Sequence, residues 1–146
     1  MPRLQRSALV PHSADDMFDL VIDVAAYPQF LPWCSWARVS EQSDTHQVAA
    51  VTIAKSLKRS EFTTRNRLDR PGRIDMQLVD GPFKRLTGTW TFTPLDESAC
   101  RVELQVDFEF GNPFVGRLIL PAFKQVCDSM VGAFTRRARS VYASSV

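Results

Sequence analysis

The chain has 146 residues, of which 45% are hydrophobic and 23% are charged, and its formal net charge is +2 with a sequence pI of about 8.6. This length predicts a single domain spanning residues 1–146, and the composition excludes both a disordered chain and a transmembrane protein. The charge is too small for the one-sided basic field that binds nucleic acid by charge alone, and no DNA partner is expected.

The N-terminal region predicts a strand followed by a helix. Residues Arg3–Val10 alternate in polarity and stop at Pro11, which has no N–H to donate to a neighbouring strand. Ser13 and Asp16 then have the spacing of a capping box, with Asp in place of the usual Glu. Behind this cap, apolar residues recur at helical spacing as Met17, Leu20, Val21 and Val24.

A segment rich in proline and aromatic residues comes next, with the sequence AAYPQFLPWCSW from Ala25 onward. Pro28 and Pro32 prevent a long helix, so we expect an apolar loop or a short helix. Its large side chains have three interpretations: a lid at the mouth of a cavity, a patch that dips into a bilayer surface, or a loop plugged into the core. The residues concerned are Tyr27, Phe30, Leu31, Pro32 and Trp33.

Polarity then alternates with period two as far as Phe110, which predicts β-strands. The last two strands are the clearest; in the first of them Leu86, Trp90 and Phe92 share one face while threonines share the other. Turn-forming residues separate the segments, so we expect an antiparallel sheet that is covered on one face only. The predicted strands are Trp36–Gln42, Gln47–Lys55, Ser60–Asp69, Arg73–Val79, Lys84–Thr93 and Cys100–Phe110.

A long amphipathic helix is predicted at the C-terminus. Asn112 and Pro113 have the form of an N-cap and a first-turn proline, and the helical pattern continues to about Tyr142. At 1.5 Å per residue this helix would be about 45 Å long, enough to cross a sheet, and it is the element suited to cover one. Its apolar stripe consists of Ile119, Phe123, Val126, Met130, Phe134, Ala138 and Val141.

Three segments together resemble a known family. They are YPQFLPWC at Tyr27–Cys34, GPFKRLTGTWTF at Gly81–Phe92 and FTRRARSVY at Phe134–Tyr142. Over nearly its full length the chain resembles the START-like group of the polyketide cyclase/dehydrase superfamily, which contains the ribosome-association toxin RatA and the coenzyme Q-binding proteins. The resemblance implies an α+β helix-grip fold, in which a curved antiparallel sheet of about seven strands wraps around the long C-terminal helix.

The same resemblance implies three functions. The first is non-catalytic binding of a hydrophobic ligand, ubiquinone or another polyprenyl quinone, in a cavity between the sheet and the C-terminal helix, in support of respiration. The alternative is a toxin that binds the large ribosomal subunit and blocks subunit association and translation initiation. A second alternative is a cyclase-like enzyme. The quinone carrier and the toxin share one sequence pattern, and no cofactor is expected other than a bound prenyl lipid.

The candidate ligand-binding residues are the large apolar side chains that we expect to face the interior. Such stripes usually fill a core, but a curved sheet against a single helix is difficult to fill with side chains alone. A ligand would gain about 25 cal/mol for each Å² of apolar surface that it buries. The residues are Tyr27, Phe30, Leu31, Pro32, Trp33, Met76, Leu78, Phe83, Trp90, Phe92, Phe108, Phe110, Phe123, Val126, Met130 and Phe134.

The residues whose side chains are capable of catalysis give little support for an enzyme. His12 follows a proline and His46 lies in a polar turn, so both are expected to face solvent. Cys34, Cys100 and Cys127 are far apart and form no CxxC pair, so neither a disulfide framework nor a zinc site is indicated. The N-terminus lacks an apolar secretion signal, so we expect a cytoplasmic protein, with the alternative of one peripheral to the inner membrane.

Basic residues are the candidates for contact with a macromolecular partner. Arginines near the end of the C-terminal helix suit the negative end of the helix dipole, which is the simpler explanation for them. The functional alternative is contact with ribosomal RNA or anionic lipid, to which Lys55, Lys58 and Arg59 are expected to contribute. The candidate partner-binding residues are Lys84, Arg85, Lys124, Arg136, Arg137 and Arg139.

Overall fold

The computed structural model describes residues 3–55 and 58–142, and the side chains of Lys55, Lys58 and Arg59 lie outside the described part. Seven strands, two α-helices and a short 3₁₀-helix follow one another along these residues. In chain order they are β1 (Arg3–Val10), α1 (Ala14–Ile22), the 3₁₀-helix (Val24–Gln29), β2 (Cys34–Gln42), β3 (His46–Lys55), β4 (Lys58–Asp69), β5 (Arg73–Asp80), β6 (Phe83–Asp96), β7 (Ala99–Phe110) and α2 (Pro113–Val141).

The strands form one antiparallel sheet in the order β1-β7-β6-β5-β4-β3-β2. Strands β2 to β7 form a meander, and β1 pairs with β7 at one edge, so that Val10 lies opposite Cys100. The predicted alternation of β6 and β7 is confirmed, since Trp90 pairs with Leu104 and both are buried on the inner face. The α+β helix-grip fold expected from the sequence is therefore the observed one.

Capping interactions fix where α1 begins. The backbone N–H of Asp16 donates to Ser13 Oγ at 3.1 Å, as the capping spacing predicts. The buried face of α1 includes Met17 and Phe18, which lie in the core. The helix ends at Ile22, and the 3₁₀-helix that follows contains Pro28, so the predicted short helix is confirmed.

The long helix α2 covers the inner face of the sheet. Asn112 Oδ1 accepts a hydrogen bond from Phe114 N–H at 2.8 Å, with Pro113 in the first turn, and the helix continues through Pro121. At its other end, Tyr142 Oη donates to the carbonyl oxygen of Asp16 at 3.0 Å and ties α2 to α1. Among the strands, α2 has its contacts chiefly with β1 and β7. The helix thus lies over one side of the sheet.

Gly116 permits the close approach of α2 to β7. A Cβ atom at this position would lie 3.1 Å from the ring of Phe110, tighter than most real Cβ contacts. The rest of the buried face of α2 is larger and fills the space beneath it. It comprises Phe123, Val126, Cys127, Val131, Ala133, Phe134 and Ala138.

Candidate functional site

A cavity of about 100 Å³ lies between α2 and the sheet. Its walls come from the 3₁₀-helix and the segment after it, from the inner faces of β3 to β7, and from one side of α2. Nearly all of the exposed atoms in these walls are apolar. The lining residues are Val24, Tyr27, Trp33, Ala49, Val51, Phe62, Thr64, Asn66, Met76, Leu86, Gly88, Trp90, Leu104, Val106, Phe123, Val126, Cys127 and Met130.

The cavity lies where the sheet presents small or polar side chains to α2. On β3 the inward residues are Ala49 and Val51, and on β4 they include Thr64 and Asn66. On β6, Gly88 adds no side chain, and a Cβ atom there would lie 2.5 Å from Met76 Cε. Because α2 lies chiefly over β1 and β7, this side of the interior is left partly empty.

On the opposite side, aromatic rings fill the space between α2 and the sheet. Phe83 stacks on Phe110 with centroids 4.8 Å apart, and the centroid of Phe123 lies 4.9 Å from those of both Phe83 and Phe108. Further along α2, Phe134 lies 5.4 Å from Trp90 in an edge-to-face arrangement. Edge-to-face and offset contacts of this kind add about 0.5–1.5 kcal/mol beyond the burial of area.

A chain of buried amides and a hydroxyl borders the cavity. Thr64 Oγ1 donates to Asn66 Oδ1 at 2.8 Å, and Asn66 Nδ2 donates to Gln47 Oε1 at 2.8 Å. Gln47 Nε2 in turn donates to the carbonyl oxygen of Ile22 at 2.6 Å and to Gln42 Oε1 at 3.0 Å. Partners are therefore present for these polar groups, although Gln47, Thr64 and Asn66 are all buried.

Tyr27 and Cys127 also line the cavity, and both are held in their neutral forms. Tyr27 Oη donates to the carbonyl oxygen of Val21, and burial raises the pKa of this phenol far above its usual range. Burial, reinforced by the Asp128 carboxylate, raises the pKa of the Cys127 thiol to about 12. At neutral pH the Cys127 thiol is therefore protonated, which makes it a poor nucleophile.

Trp33 differs from these residues because its polar atom has no partner. Among the side chains that the structure describes, its indole Nε1 is the one buried nitrogen or oxygen that lacks a hydrogen bond. Trp33 borders the cavity, and its main chain is fixed by Ala54 N–H, which donates to the carbonyl oxygen of Trp33 at 2.7 Å.

An open groove of about 510 Å³ lies on the outer side of Trp33. It runs between the segment containing Pro32, the end of β3 and the exposed side of α2. Trp33 and Val126 line both the groove and the cavity, so these two side chains separate the interior from the surface. The other groove residues are Pro32, Ala54, Gln125, Ser129, Ala133 and Arg136.

The structure divides the predicted ligand-binding residues into groups; ligand contact itself stays a prediction for all of them. The cavity walls include Tyr27, Trp33, Met76, Trp90, Phe123, Val126 and Met130. The core away from the cavity contains Leu31, Phe83, Phe92, Phe108 and Phe134, which are buried, and the half-buried Phe30, Leu78 and Phe110. Pro32 is exposed and borders the groove.

Of the three interpretations of the segment from Tyr27 to Trp33, burial agrees best with a loop plugged into the core. Tyr27, Leu31 and Trp33 are all buried, and Phe30 packs against the ring of Phe134 at 5.3 Å. Such a segment offers little apolar surface for a bilayer.

The ligand-binding residues predicted from the sequence do not include the cavity residues on β3 and β4. The alternation of Ala49 and Val51 was a usable signal for an inward face. Thr64 and Asn66 gave the opposite signal, because polar residues on a strand ordinarily face solvent. The remaining cavity residues absent from the prediction are Val24, Phe62, Leu86, Gly88, Leu104, Val106 and Cys127.

The predicted partner-binding residues lie in two groups near opposite ends of α2. Lys84 and Arg85 are beside its start, each with its side-chain nitrogen 3.9 Å from Glu109. Arg136, Arg137 and Arg139 are in its last turns, and Lys124 is exposed between the groups. The side chains of Lys55, Lys58 and Arg59, also proposed from the sequence, lie outside the described residues.

We call Arg136, Arg137 and Arg139 the arginine cluster. Arg137 is held in place, since its Nη2 donates to Gln29 Oε1 at 3.2 Å and its guanidinium lies 4.9 Å from the centroid of the Phe30 ring. Arg136 and Arg139 are exposed, and neither forms an ion pair with a described residue. The cluster is thus available to an external anion.

Other chemistry-bearing groups do not converge on a site. His46 is exposed, as predicted, and its Nδ1 lies 2.9 Å from Thr45 Oγ1, whereas His12 is half-buried with its ring centroid 6.0 Å from that of Tyr142. Within residues 3–55 and 58–142, no three His, Cys, Asp or Glu side chains come together as metal ligands. Neither described helix combines the length and the apolarity needed to span a bilayer.

Comparisons with known proteins agree with this architecture. A model of the family described as "Polyketide cyclase / dehydrase and lipid transport" matches residues 10–135. The ribosome association toxin RatA of Vibrio cholerae is 51% identical over 142 residues, covering 97% of this chain and 99% of that protein. The mitochondrial coenzyme Q-binding protein COQ10 of Drosophila melanogaster is 26% identical over 138 residues, covering 92% of this chain and 57% of that protein.

Two solved structures show the same fold. The Zhui aromatase/cyclase from Streptomyces sp. R1128 superposes with a TM-score of 0.84 at 18% identity, covering 99% of both chains. An 18 kDa protein from Caulobacter crescentus superposes with a TM-score of 0.76 at 30% identity, covering 99% of this chain and all of that one.

Proposed function

The chain belongs to the polyketide cyclase/dehydrase and lipid transport family, in which its near relatives are RatA toxins, and from this we propose that it acts by binding the ribosome through its outer surface. The observation that carries the proposal is the 51% identity to a RatA protein over 97% of this chain. The target is the large ribosomal subunit, and the effect is to block subunit association and translation initiation. This action belongs in the cytoplasm.

The arginine cluster and the neighbouring groove are the surface best suited to this contact. Guanidinium groups bind phosphates in a bidentate manner, and Arg136 and Arg139 are exposed and form no ion pair with a described residue. By contrast, Lys84 has Glu109 beside it, which lowers its net attraction for an anion. Ribosomal RNA is therefore the partner component that we assign to the arginine cluster.

No catalytic step is part of the proposal. The hydroxyl and amide groups of Tyr27, Thr64 and Asn66 are engaged with one another, with Gln47 or with the main chain, and Tyr27 and Cys127 remain protonated at neutral pH. The cyclase with the same fold is only 18% identical, so it supports the fold and not the chemistry.

Binding of a prenyl quinone is the second candidate function. The apolar lining of the cavity and the distant similarity to COQ10 favour it. Against it, the cavity is about 100 Å³, whereas sites for drug-sized ligands are about 300–1,000 Å³. A whole quinone with its tail would need α2 to move away from β3 and β4. Mass spectrometry of an organic extract of the native protein tests this, and a stoichiometric quinone lost in Met130→Arg would replace our main proposal.

Co-sedimentation with isolated large ribosomal subunits tests the main proposal. The double variant Arg136→Glu/Arg139→Glu should bind at least about tenfold more weakly than the unchanged protein, because two phosphate contacts are lost. Its affinity should also depend less on salt, with the slope of log K against log salt smaller by about two. The control Arg38→Glu/Arg65→Glu alters charge by the same amount at two exposed strand positions and should bind normally.

Sucrose gradients of cells overproducing the protein provide the second readout. We expect fewer assembled ribosomes and more free subunits with the unchanged protein, and a normal profile with the arginine double variant. An unchanged profile for the parent protein, together with no co-sedimentation, would refute ribosome binding. Equal losses in both double variants would refute the assignment to the arginine cluster.

A further inference from the structure

The groove beside Trp33 and the arginine cluster form one continuous surface. Arg136 belongs to both, because it is the residue of the cluster that lines the groove. Its guanidinium lies over Gly132, where a Cβ atom would be 3.4 Å from Arg136 Nη1. The positive charge is thus held against α2, one turn nearer to Ser129, which also lines the groove. An anion bound by Arg136 would therefore lie at the edge of the groove.

The groove combines small or apolar walls with an amide that has no partner. Gln125 is exposed, and its side chain forms no hydrogen bond with a described residue. Ser129 Oγ donates to the carbonyl oxygen of Val126 at 3.0 Å, so its lone pairs remain able to accept a hydrogen bond. The Gln125 amide presents a donor and an acceptor next to each other. It suits a partner that carries the complementary pair of groups.

The shape of the groove favours a single compact unit over a peptide strand or a bilayer. Its volume of about 510 Å³ falls within the range of about 300–1,000 Å³ for sites that hold drug-sized molecules, and one nucleotide is of that size. Ala54 N–H already donates to the carbonyl oxygen of Trp33, and β3 is paired on both sides, so no strand can be added here. Trp33, Val126 and Ala133 are buried and offer a bilayer little apolar area.

We propose that the groove takes up one unpaired nucleotide of ribosomal RNA, with its phosphate on Arg136 and the edge of its base on the Gln125 amide. This proposal rests on the proposed function, because it names the part of the ribosome that binds to this surface. Proteins recognise RNA mainly through unstacked bases, whose Watson–Crick edges present neighbouring donors and acceptors. Arg139 follows Arg136 by three residues, so the two side chains are neighbours on the helix and are placed for successive phosphates of one strand.

Two groove variants test the proposal by co-sedimentation with isolated large ribosomal subunits over a range of salt concentrations. Gln125→Ala removes the amide, and Ser129→Phe fills the groove with a ring from an exposed helix position. Each should bind about tenfold more weakly than the unchanged protein, because the paired hydrogen bonds or the space for the base are lost. The slope of log K against log salt should stay the same, since no phosphate contact is removed. The arginine double variant lowers that slope, so one measurement separates the two kinds of contact.

Matched controls make the same two substitutions outside the groove. Gln77→Ala on β5 and Ser40→Phe on β2 change exposed residues that do not line it. Both should bind as the unchanged protein does. Urea unfolding checks that every variant is folded, and Gln125→Ala decides alone should Ser129→Phe fail to fold.

Chemical probing of the ribosomal RNA identifies the nucleotide. Dimethyl sulfate and a carbodiimide modify the Watson–Crick positions of unpaired bases, and they are applied to large subunits saturated with each variant. We expect a base that the unchanged protein protects to become reactive again with Gln125→Ala and with Ser129→Phe. The two control variants should protect it fully.

The outcomes distinguish this proposal from ribosome binding as such. Groove variants that bind as tightly as the unchanged protein would overturn the nucleotide site and leave ribosome binding intact. A smaller salt slope in these variants would also overturn it, because the groove would then act through phosphates alone. Weaker binding without any protected base would assign the groove to a ribosomal protein instead. An unchanged protein that does not sediment with large subunits would refute both proposals.

Discussion

The two sides of the sheet that face α2 are packed differently. Beneath the helix on β6 and β7, the rings of Phe83, Phe108, Phe110 and Phe123 lie within 4.8–6.4 Å of one another. On β3 and β4 the inward positions hold Ala49, Val51, Thr64 and Asn66 beside a single ring, that of Phe62, and here the cavity remains.

The position of the cavity therefore depends on the size of the side chains between α2 and the sheet, and not on the fold alone. The same helix and the same sheet form both sides, so curvature of the sheet does not by itself decide where space is left. The helix approaches β7 closely because Gly116 permits it, and the aromatic residues there fill the remaining volume.

The largest expected effect is on the packed side. Phe108→Ala should lower the free energy of unfolding by about 3–5 kcal/mol, because a fully buried ring is removed from a close-packed cluster. Phe62→Ala on the cavity side should cost about 2 kcal/mol or less, since Phe62 is only partly buried and already borders empty space. Urea unfolding of both variants measures the difference. Equal losses would show that the two sides are packed alike.

The chain of amides beside the cavity should give the next largest effect. Gln47→Leu leaves Asn66 Nδ2 and the carbonyl oxygen of Ile22 without their partner, and we expect a loss of about 2 kcal/mol. Gln77→Leu makes the same change at an exposed position and should alter stability by less than about 0.5 kcal/mol. Thermal and urea unfolding measure both. A stable Gln47→Leu variant would mean that water replaces the amide.

The effect that is smallest near neutral pH is a dependence on pH at Cys127, on the side of α2 that borders the cavity, because it develops only as the pH rises. In the folded state its pKa is raised from an ordinary value of about 9 to about 12. The unfolded chain therefore loses the thiol proton first as the pH rises. The stability that the neutral buried thiol contributes is complete below pH 9 and is lost progressively between about pH 9 and 12, by at most ~1.4 kcal/mol per pH unit.

Urea unfolding between pH 8 and 11 tests this expectation. The stability of Cys127→Ala should fall less steeply with pH than that of the unchanged protein. Val131→Ala, a neutral buried change on the same helix, should lower stability by a similar amount at every pH. Curves for Cys127→Ala and the unchanged protein that run parallel would contradict the raised pKa.

Most of the fold could be predicted because polarity and secondary structure agree along the chain. The alternation in β6 and β7, the cap at Ser13 and the N-cap at Asn112 all follow from local physical rules and are all observed. Strand ends were less accurate. β6 runs to Asp96 and not to Thr93, because the pairing with β7 resumes after an irregularity near Pro94.

The cavity was harder to predict, because it depends on distances between elements that are remote in sequence. Met76 and Met130 were proposed from their faces and do line it, yet Phe92 and Phe108 have equally apolar patterns and lie in the packed core. Whether an apolar side chain fills space or borders it depends on where α2 lies over the sheet. The indole nitrogen of Trp33 lacks a partner because of the way distant segments pack around it. No local sequence pattern could predict this.

Because β1 pairs with β7, the sheet can be completed only late in the synthesis of the chain. Arg3 Nε donates to Asp107 Oδ1 across 104 residues, so the first strand has no partner until the last strand has left the ribosome. The inner face of the sheet then stays uncovered until the final helix emerges. A truncation before Pro113 should therefore yield a chain that exposes its apolar face and requires a chaperone, however well its meander of strands has formed.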